Sequence, residues 1–341
     1  MSMRTKARWT ALTIPTALML LTSMLFAQNA PAPRASSGDP PWMVSVDPIP
    51  EQLRTEYRLN PFYKKSAMID GIPIVGSQNV SDFAFRECAW TIHHMLDGRT
   101  VALDALVKAK VRIGIIAVTE YTMDIPENQN ARMMANAAFN DRRSRGLGGL
   151  PLATCAEENL LNLRGDPYSA ENITIHEFSH TVASAMRRAQ PAWYEKLRDA
   201  YKQAMATGGY GTSYAATNEQ EYWAEGAQCW FGWANPRNTG GAANRDDVKK
   251  KDPALAALLN EIYGDGPWRY FKTSNASRAP EDLVHLAGFD RMKMPAFSFN
   301  NSPRVQAAAT QPGLNRPPPL TGRRGATGAT TVPATRPARE R

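Results

Sequence analysis

Thr174-Ile175-His176-Glu177-Phe178-Ser179-His180-Thr181 sets two histidines four residues apart in a chain of 341. On a helix with 3.6 residues per turn, both side chains leave one face, one turn above the other. Such a pair can hold a metal. Imidazole nitrogens suit Zn²⁺, which prefers a tetrahedral shell, and a carboxylate directly after the first histidine sits beside the ion without joining it. Glu177 is then placed to act as a general base. Two ordinary histidines on a half-buried helix would read the same way, so the surrounding sequence has to supply the rest of the site.

It does so in Ser213-Tyr214-Ala215-Ala216-Thr217-Asn218-Glu219-Gln220-Glu221-Tyr222-Trp223-Ala224-Glu225. A catalytic zinc takes three protein donors and keeps a position open, so a third donor must come from elsewhere in the chain. Thr217 or Asn218 reads as the N-cap of a helix that carries Glu221 and Glu225 on one face. In the natural division Glu221 ligates and Glu225 accepts a hydrogen bond from the second ring nitrogen of His176 or His180. A solvated acidic face is the alternative. Tyr222, Trp223, Trp230 and Phe231 argue against full exposure, because a carboxylate among large apolar side chains needs a partner.

The pattern Tyr214-x-x-Thr217-Asn218-Glu219-x-Glu221-aromatic-aromatic-Ala224-Glu225, after the His-Glu-x-x-His helix, resembles the catalytic domain of anthrax toxin lethal factor and its gluzincin metallopeptidase relatives. The likeness covers roughly residues 170 to 235. It implies a zinc held by His176, His180 and Glu221, with Glu177 activating the water and Glu225 supporting a ligand histidine. It also implies that the Tyr214 phenol hydrogen-bonds the developing oxyanion or protonates the leaving amine, a role the chemistry of amide hydrolysis requires of some donor. Tyr210, in the run Gly208-Gly209-Tyr210-Gly211, is the rival for that phenol.

The ends of the chain read differently from its middle. Arg4, Lys6 and Arg8, then an apolar run from Ala11 to Phe26 and a small residue at Ala27, have the layout of a secretory signal peptide over residues 1–27. Residues 28–45 read as a flexible leader, and 301–341, rich in Pro and Arg with few large apolar residues, as a disordered tail. The formal charge of +8 belongs to these ends, since the first 27 residues carry +3 and the last 41 carry +6, which leaves −1 for residues 28–300. The basic balance thus gives no support to a nucleic-acid-binding core, and the tail arginines are either solvated or in contact with an anionic envelope or cell-wall polymer.

Residues 46–300 fit one catalytic domain. Ser81 caps an expected helix to Gly98, Val101–Lys110 reads as a second, and Ile72–Val75 and Val111–Val118 as strands. Residues 140–155 read as a loop that returns to a strand-like stretch at Asn159–Leu163. Helices follow over 171–188, from Pro191, over 218–233 and over Pro253–Ile262. This is an α+β plan, mainly helical with a small mixed sheet and zincin-like, whose exposed sheet edge within 149–163 could pair with an extended peptide. Arg142, Arg143 and Arg145 either line a subsite for acidic side chains or form a solvated loop. His93, His94 and His285 have no metal spacing. Of the three cysteines, Cys88 and Cys155 are the expected pair if a disulfide forms. Cys229 is an inward thiol, or a thiolate donor in place of a carboxylate.

The expected function is a secreted or periplasmic, monomeric zinc-dependent endopeptidase acting on a protein or peptide substrate, with a metal-activated water and Glu177 as base. No nucleic-acid partner is implied, and no span remains in a membrane once the signal is removed. Two other readings stay open: a zinc hydrolase of a non-peptide envelope substrate, and a non-enzymatic envelope-binding protein on the same scaffold.

Overall fold

The computed structural model describes Gly38 and residues 40–310. The expected signal peptide, most of the leader and the tail beyond residue 310 lie outside the described residues.

A six-stranded mixed sheet carries the fold: β1 (Asp47–Pro48), β2 (Lys65–Ile69), β3 (Ile72–Gly76), β4 (Arg112–Ile116), β5 (Gly146–Leu147) and β6 (Leu152–Ala156). Their spatial order is β1-β2-β3-β4-β6-β5. The β2–β3 hairpin turns on Asp70 and Gly71, both at positive φ (48° and 81°), as a two-residue turn matched to strand twist requires. β3, β4 and β6 run parallel, and β5 returns antiparallel along the outer side of β6. β3 and β4 are buried at every position, which is what near-continuous apolar strands covered on both faces look like.

Six helices matter for the site: α1 (Asp82–Leu96), α2 (Thr100–Lys108), α3 (Ile173–Ala189), α4 (Pro191–Ala206), α5 (Glu219–Trp230) and α6 (Pro253–Tyr263). α3 is the central one, packed against β6, α2, α4 and α5. Ile175, Phe178, Val182 and Met186 bury its apolar face, each contributing about 1.5–3 kcal/mol of transfer free energy. Asn172 caps it, its side chain accepting the Ile175 N–H at 2.9 Å, and Asn218 caps α5 by accepting the N–H groups of Gln220 and Glu221, both at 2.9 Å. Ser81 caps α1.

The mixed α and β character and the small mixed sheet agree with expectation. Four details differ. Asn159–Leu163 is not a strand. Its first half completes a short helix, Glu157–Leu160, because the polar side chains there have buried partners to reach. Glu157 accepts the N–H groups of Ser81 and Val118 at 2.7 and 2.8 Å, and Asn159 accepts that of Ile173 at 2.8 Å. The strand before the metal helix is β6, and the edge of the sheet is β5, so residues 140–155 are structured and the free edge lies just ahead of 149–163. The expected tail begins too early: Pro303–Ala309 is helical with Val305 and Ala308 buried, and Arg304 binds Asp124 and Asp141 at 2.8 and 3.1 Å. The expected leader ends too late, since the Trp42 ring packs 5.3 and 4.8 Å from those of His93 and His94.

The three remaining histidines are structural. His93 Nδ1 lies 2.8 Å from Asp70, His94 Nδ1 lies 2.8 Å from the Trp90 carbonyl, and His285 Nε2 lies 2.8 Å from Glu87. All three cysteines are buried and free. Cys88 and Cys155 face one another with their thiols hydrogen-bonded, and Cys229 donates to the Ala242 carbonyl at 3.4 Å. Among the described residues, no helix is long and apolar enough to cross a membrane.

Candidate metal centre

α3 and α5 lie side by side, tied by polar bonds as well as by packing. The Trp223 indole donates to the Ser179 carbonyl at 2.9 Å, and Gln228 Oε1 accepts the backbone N–H of Asn172 at 3.0 Å. This sets the acidic face of α5 against the histidine face of α3. His176 Nε2 stands 3.1 Å from His180 Nε2 and 3.1 Å from Glu221 Oε2, and His180 Nε2 stands 3.4 Å from the same oxygen. All three residues are almost wholly buried.

These three atoms form a triangle that could hold a metal ion, and His176, His180 and Glu221 are the one such group among the described residues. Donors bonded at about 2.0–2.2 Å in a tetrahedral shell stand about 3.3–3.6 Å apart, close to the spacing found. The donor chemistry fits too. Two imidazole nitrogens 3.1 Å apart cannot both present lone pairs to one another without a proton or a cation between them.

The electrostatics answer to the same cluster. Burial works to raise the Glu221 carboxyl, but the His180 charge and the hydrogen bonds of both histidines hold it well below the ordinary range. For His176, burial opposes the charged form, yet Glu221 outweighs it and raises the imidazole to about 10 when no cation competes.

Glu177 lies beside the triangle and outside it. Its carboxylate accepts the backbone N–H of Gly148, while Oε1 is buried with no hydrogen-bond partner. Burial first, and the Glu221 charge behind it, push this carboxyl upward. The Tyr214 ring stacks on the His176 ring at 6.4 Å and 26°. Burial and then Glu221, to which its hydroxyl is hydrogen-bonded, raise the phenol far above its usual value, so it stays a donor. Tyr210 is not at the site, because its hydroxyl is bonded to Asp252 at 3.0 Å. Glu225 Oε1 lies 3.7 Å from His176 Nδ1, with Gln228 Nε2 nearer at 3.1 Å.

The sites read from sequence therefore come together: His176, His180, Glu221, Glu177, Tyr214 and Glu225. Gln228 and Gly148 were not among them. Gln228 was legible, since it stands three residues after Glu225 on the same face. Gly148 was not, because only the packed structure brings it to α3. A Cβ there would lie 2.3 Å from the Glu177 carbonyl oxygen and 2.6 Å from His180 Cβ.

No known protein family, curated protein or solved structure matches this chain.

Proposed function

We propose that this chain is a zinc-dependent endopeptidase with a zincin-like catalytic domain, acting outside the cytoplasm on proteins or peptides. The observation that carries the reading is the convergence of His176 Nε2, His180 Nε2 and Glu221 Oε2 next to a buried, unpartnered Glu177 Oε1. Two histidines and a glutamate leave a tetrahedral ion one open position, which a purely structural zinc would close with a fourth protein donor. The likeness of the sequence over 170–235 to the gluzincin pattern supports the same assignment.

Zinc in this site would supply the Lewis acid that polarises a carbonyl and acidifies a water. The chain's own groups do the rest. Glu177 Oε1 takes a proton from the attacking water and later delivers it to the leaving amine, so that water ends divided between the new acid and the new amine. A carboxyl held above its ordinary range is the better base for this near neutral pH. The Tyr214 hydroxyl donates to the carbonyl oxygen as charge develops on it. With Nε2 turned to a metal, the His176 Nδ1–H would donate to Glu225, and the Gln228 amide, donating to Glu225 Oε2 at 3.4 Å, would steady that carboxylate.

The test is elemental analysis of the purified protein and of Glu177→Gln, with casein digestion run on both. One zinc in each, with digestion by the wild type alone, is expected. Zinc in both without digestion would turn the reading to a non-peptide bond or a binding role, and no zinc in either would end it.

A further inference from the structure

Arg142 and Arg143 close the helix Ala137–Arg143 and Arg145 follows it, and the three arginines meet three different fates. Arg142 is exposed. Arg145 is fully buried and spent on structure, with its Nε and Nη2 on Glu158 at 2.5 and 2.9 Å and its Nη1 on the Glu120 carbonyl at 2.7 Å. Arg143 is half-buried, and its Nε is shut away from solvent with no hydrogen-bond partner. Among the described residues, no carboxylate pairs with it; its guanidinium only rests on the Phe139 ring, 4.9 Å from the centre.

The segment that follows Arg143 packs against the candidate metal centre. The Arg143 carbonyl accepts the Tyr168 hydroxyl. Three residues on, Gly146 is packed so tightly on α3 that a Cβ there would lie 2.8 Å from Glu177 Cγ. Beyond the burial that lowers its pKa, the ionisable groups that act on the guanidinium are Tyr214, Tyr168 and Glu221. Of these only Glu221 is an acid, and its Oε2 is already engaged by His176 and His180.

A half-buried guanidinium without a counter-ion is costly, and an anion bound there would relieve that cost. Its planar fork matches a carboxylate better than any other common group. We propose that Arg143 anchors a carboxylate of the substrate beside the metal centre, so that the site selects peptides with an acidic group next to the bond cleaved. This rests on the peptidase reading. The carboxylate is either an acidic side chain or the free C-terminus of the peptide.

The experiment uses the full-length, zinc-loaded protein and its Arg143→Gln and Arg143→Lys variants. Three soluble ten-residue peptides serve as probes: one neutral with both ends blocked, one identical but for a central glutamate, and one neutral with a free C-terminal carboxylate. The wild type should favour one of the two anionic peptides by about tenfold or more in kcat/KM, mainly through KM. Arg143→Gln should erase that preference and leave the neutral peptide unchanged, with Arg143→Lys in between. Which anionic peptide responds identifies the source of the carboxylate. Equal rates on all three peptides, or the same loss on all three in Arg143→Gln, would overturn the assignment. Binding of the same peptides to Glu177→Gln, with and without Arg143→Gln, is measured by calorimetry in parallel. If nothing is cleaved, an Arg143-dependent gain in affinity for an anionic peptide upholds the anchor although the peptidase reading fails, and equal affinities reject it.

Discussion

Gly148 holds Glu177: the glycine N–H is bonded to the carboxylate, whose Oε1 is buried without a hydrogen-bond partner. The donor sits on the loop after β5, and that loop can approach α3 so closely only because residue 148 has no side chain. Gly148→Ala should therefore displace the loop, lowering stability by about 1–3 kcal/mol and turnover with it. A thermal melt beside a casein assay checks this. A variant as stable and active as the wild type would mean that the loop yields freely and that Glu177 needs no such support.

Glu221 and Gln228 touch opposite ends of the His176 ring, one at Nε2 and one at Nδ1. Glu221→Ala should lose the metal altogether. Gln228→Leu should keep it with affinity weakened about 10-fold, because the Gln228 amide steadies Glu225, the acceptor for the His176 Nδ1–H of a metal-bound ring. Competition against a chelator measures both. Full metal content in Glu221→Ala together with loss in Glu225→Ala would exchange the roles of the two carboxylates.

Tyr214 and Tyr210 differ in their partners: the first stacks on His176 and the second is bonded to Asp252. Tyr214→Phe should cut kcat by about 10²–10³ with zinc retained, the usual cost of one donor to a developing oxyanion. Tyr210→Phe removes a hydrogen bond to buried Asp252 and should lower stability by about 1–2 kcal/mol with kcat unchanged. Loss of kcat in the second variant alone would transfer the role to Tyr210.

Buried phenols make the fold sensitive to alkali. Burial, ahead of any neighbouring charge, raises Tyr63, Tyr168, Tyr210, Tyr222, Tyr263 and Tyr270 well above the ordinary value of 10.0. Below pH 10 both folded and unfolded chains keep these protons, and the contribution to stability is fully present. Above it only the unfolded chain gives them up, so stability falls as pH climbs toward the folded values. Tyrosinate absorbance should rise in a cooperative step together with loss of far-UV circular dichroism. Graded ionisation near pH 10 with the dichroism intact would contradict the burial of these rings.

What the amino-acid order alone determined is local. The period of a helix is set by hydrogen bonds inside the segment, so His176 and His180 must share a face, as must Glu221 and Glu225, and Asn218 announces its helix by the oxygen it offers to free N–H groups. Branched apolar residues likewise mark β3 and β4. The folded chain decided everything that depends on which segments meet. His176 and Glu221 lie 45 positions apart, and only the packing of α5 on α3 closes the triangle. Asn159–Leu163 reads as strand-like in the sequence, but the buried partners of Glu157 and Asn159 hold Glu157–Leu160 as a helical turn, and the strand is Leu152–Ala156. Arg142, Arg143 and Arg145 are chemically alike in the sequence. Arg142 is exposed, Arg145 meets Glu158, and Arg143 rests on Phe139 with its Nε buried and unpartnered, because a side chain's neighbours are decided by the packing and not by its chemistry.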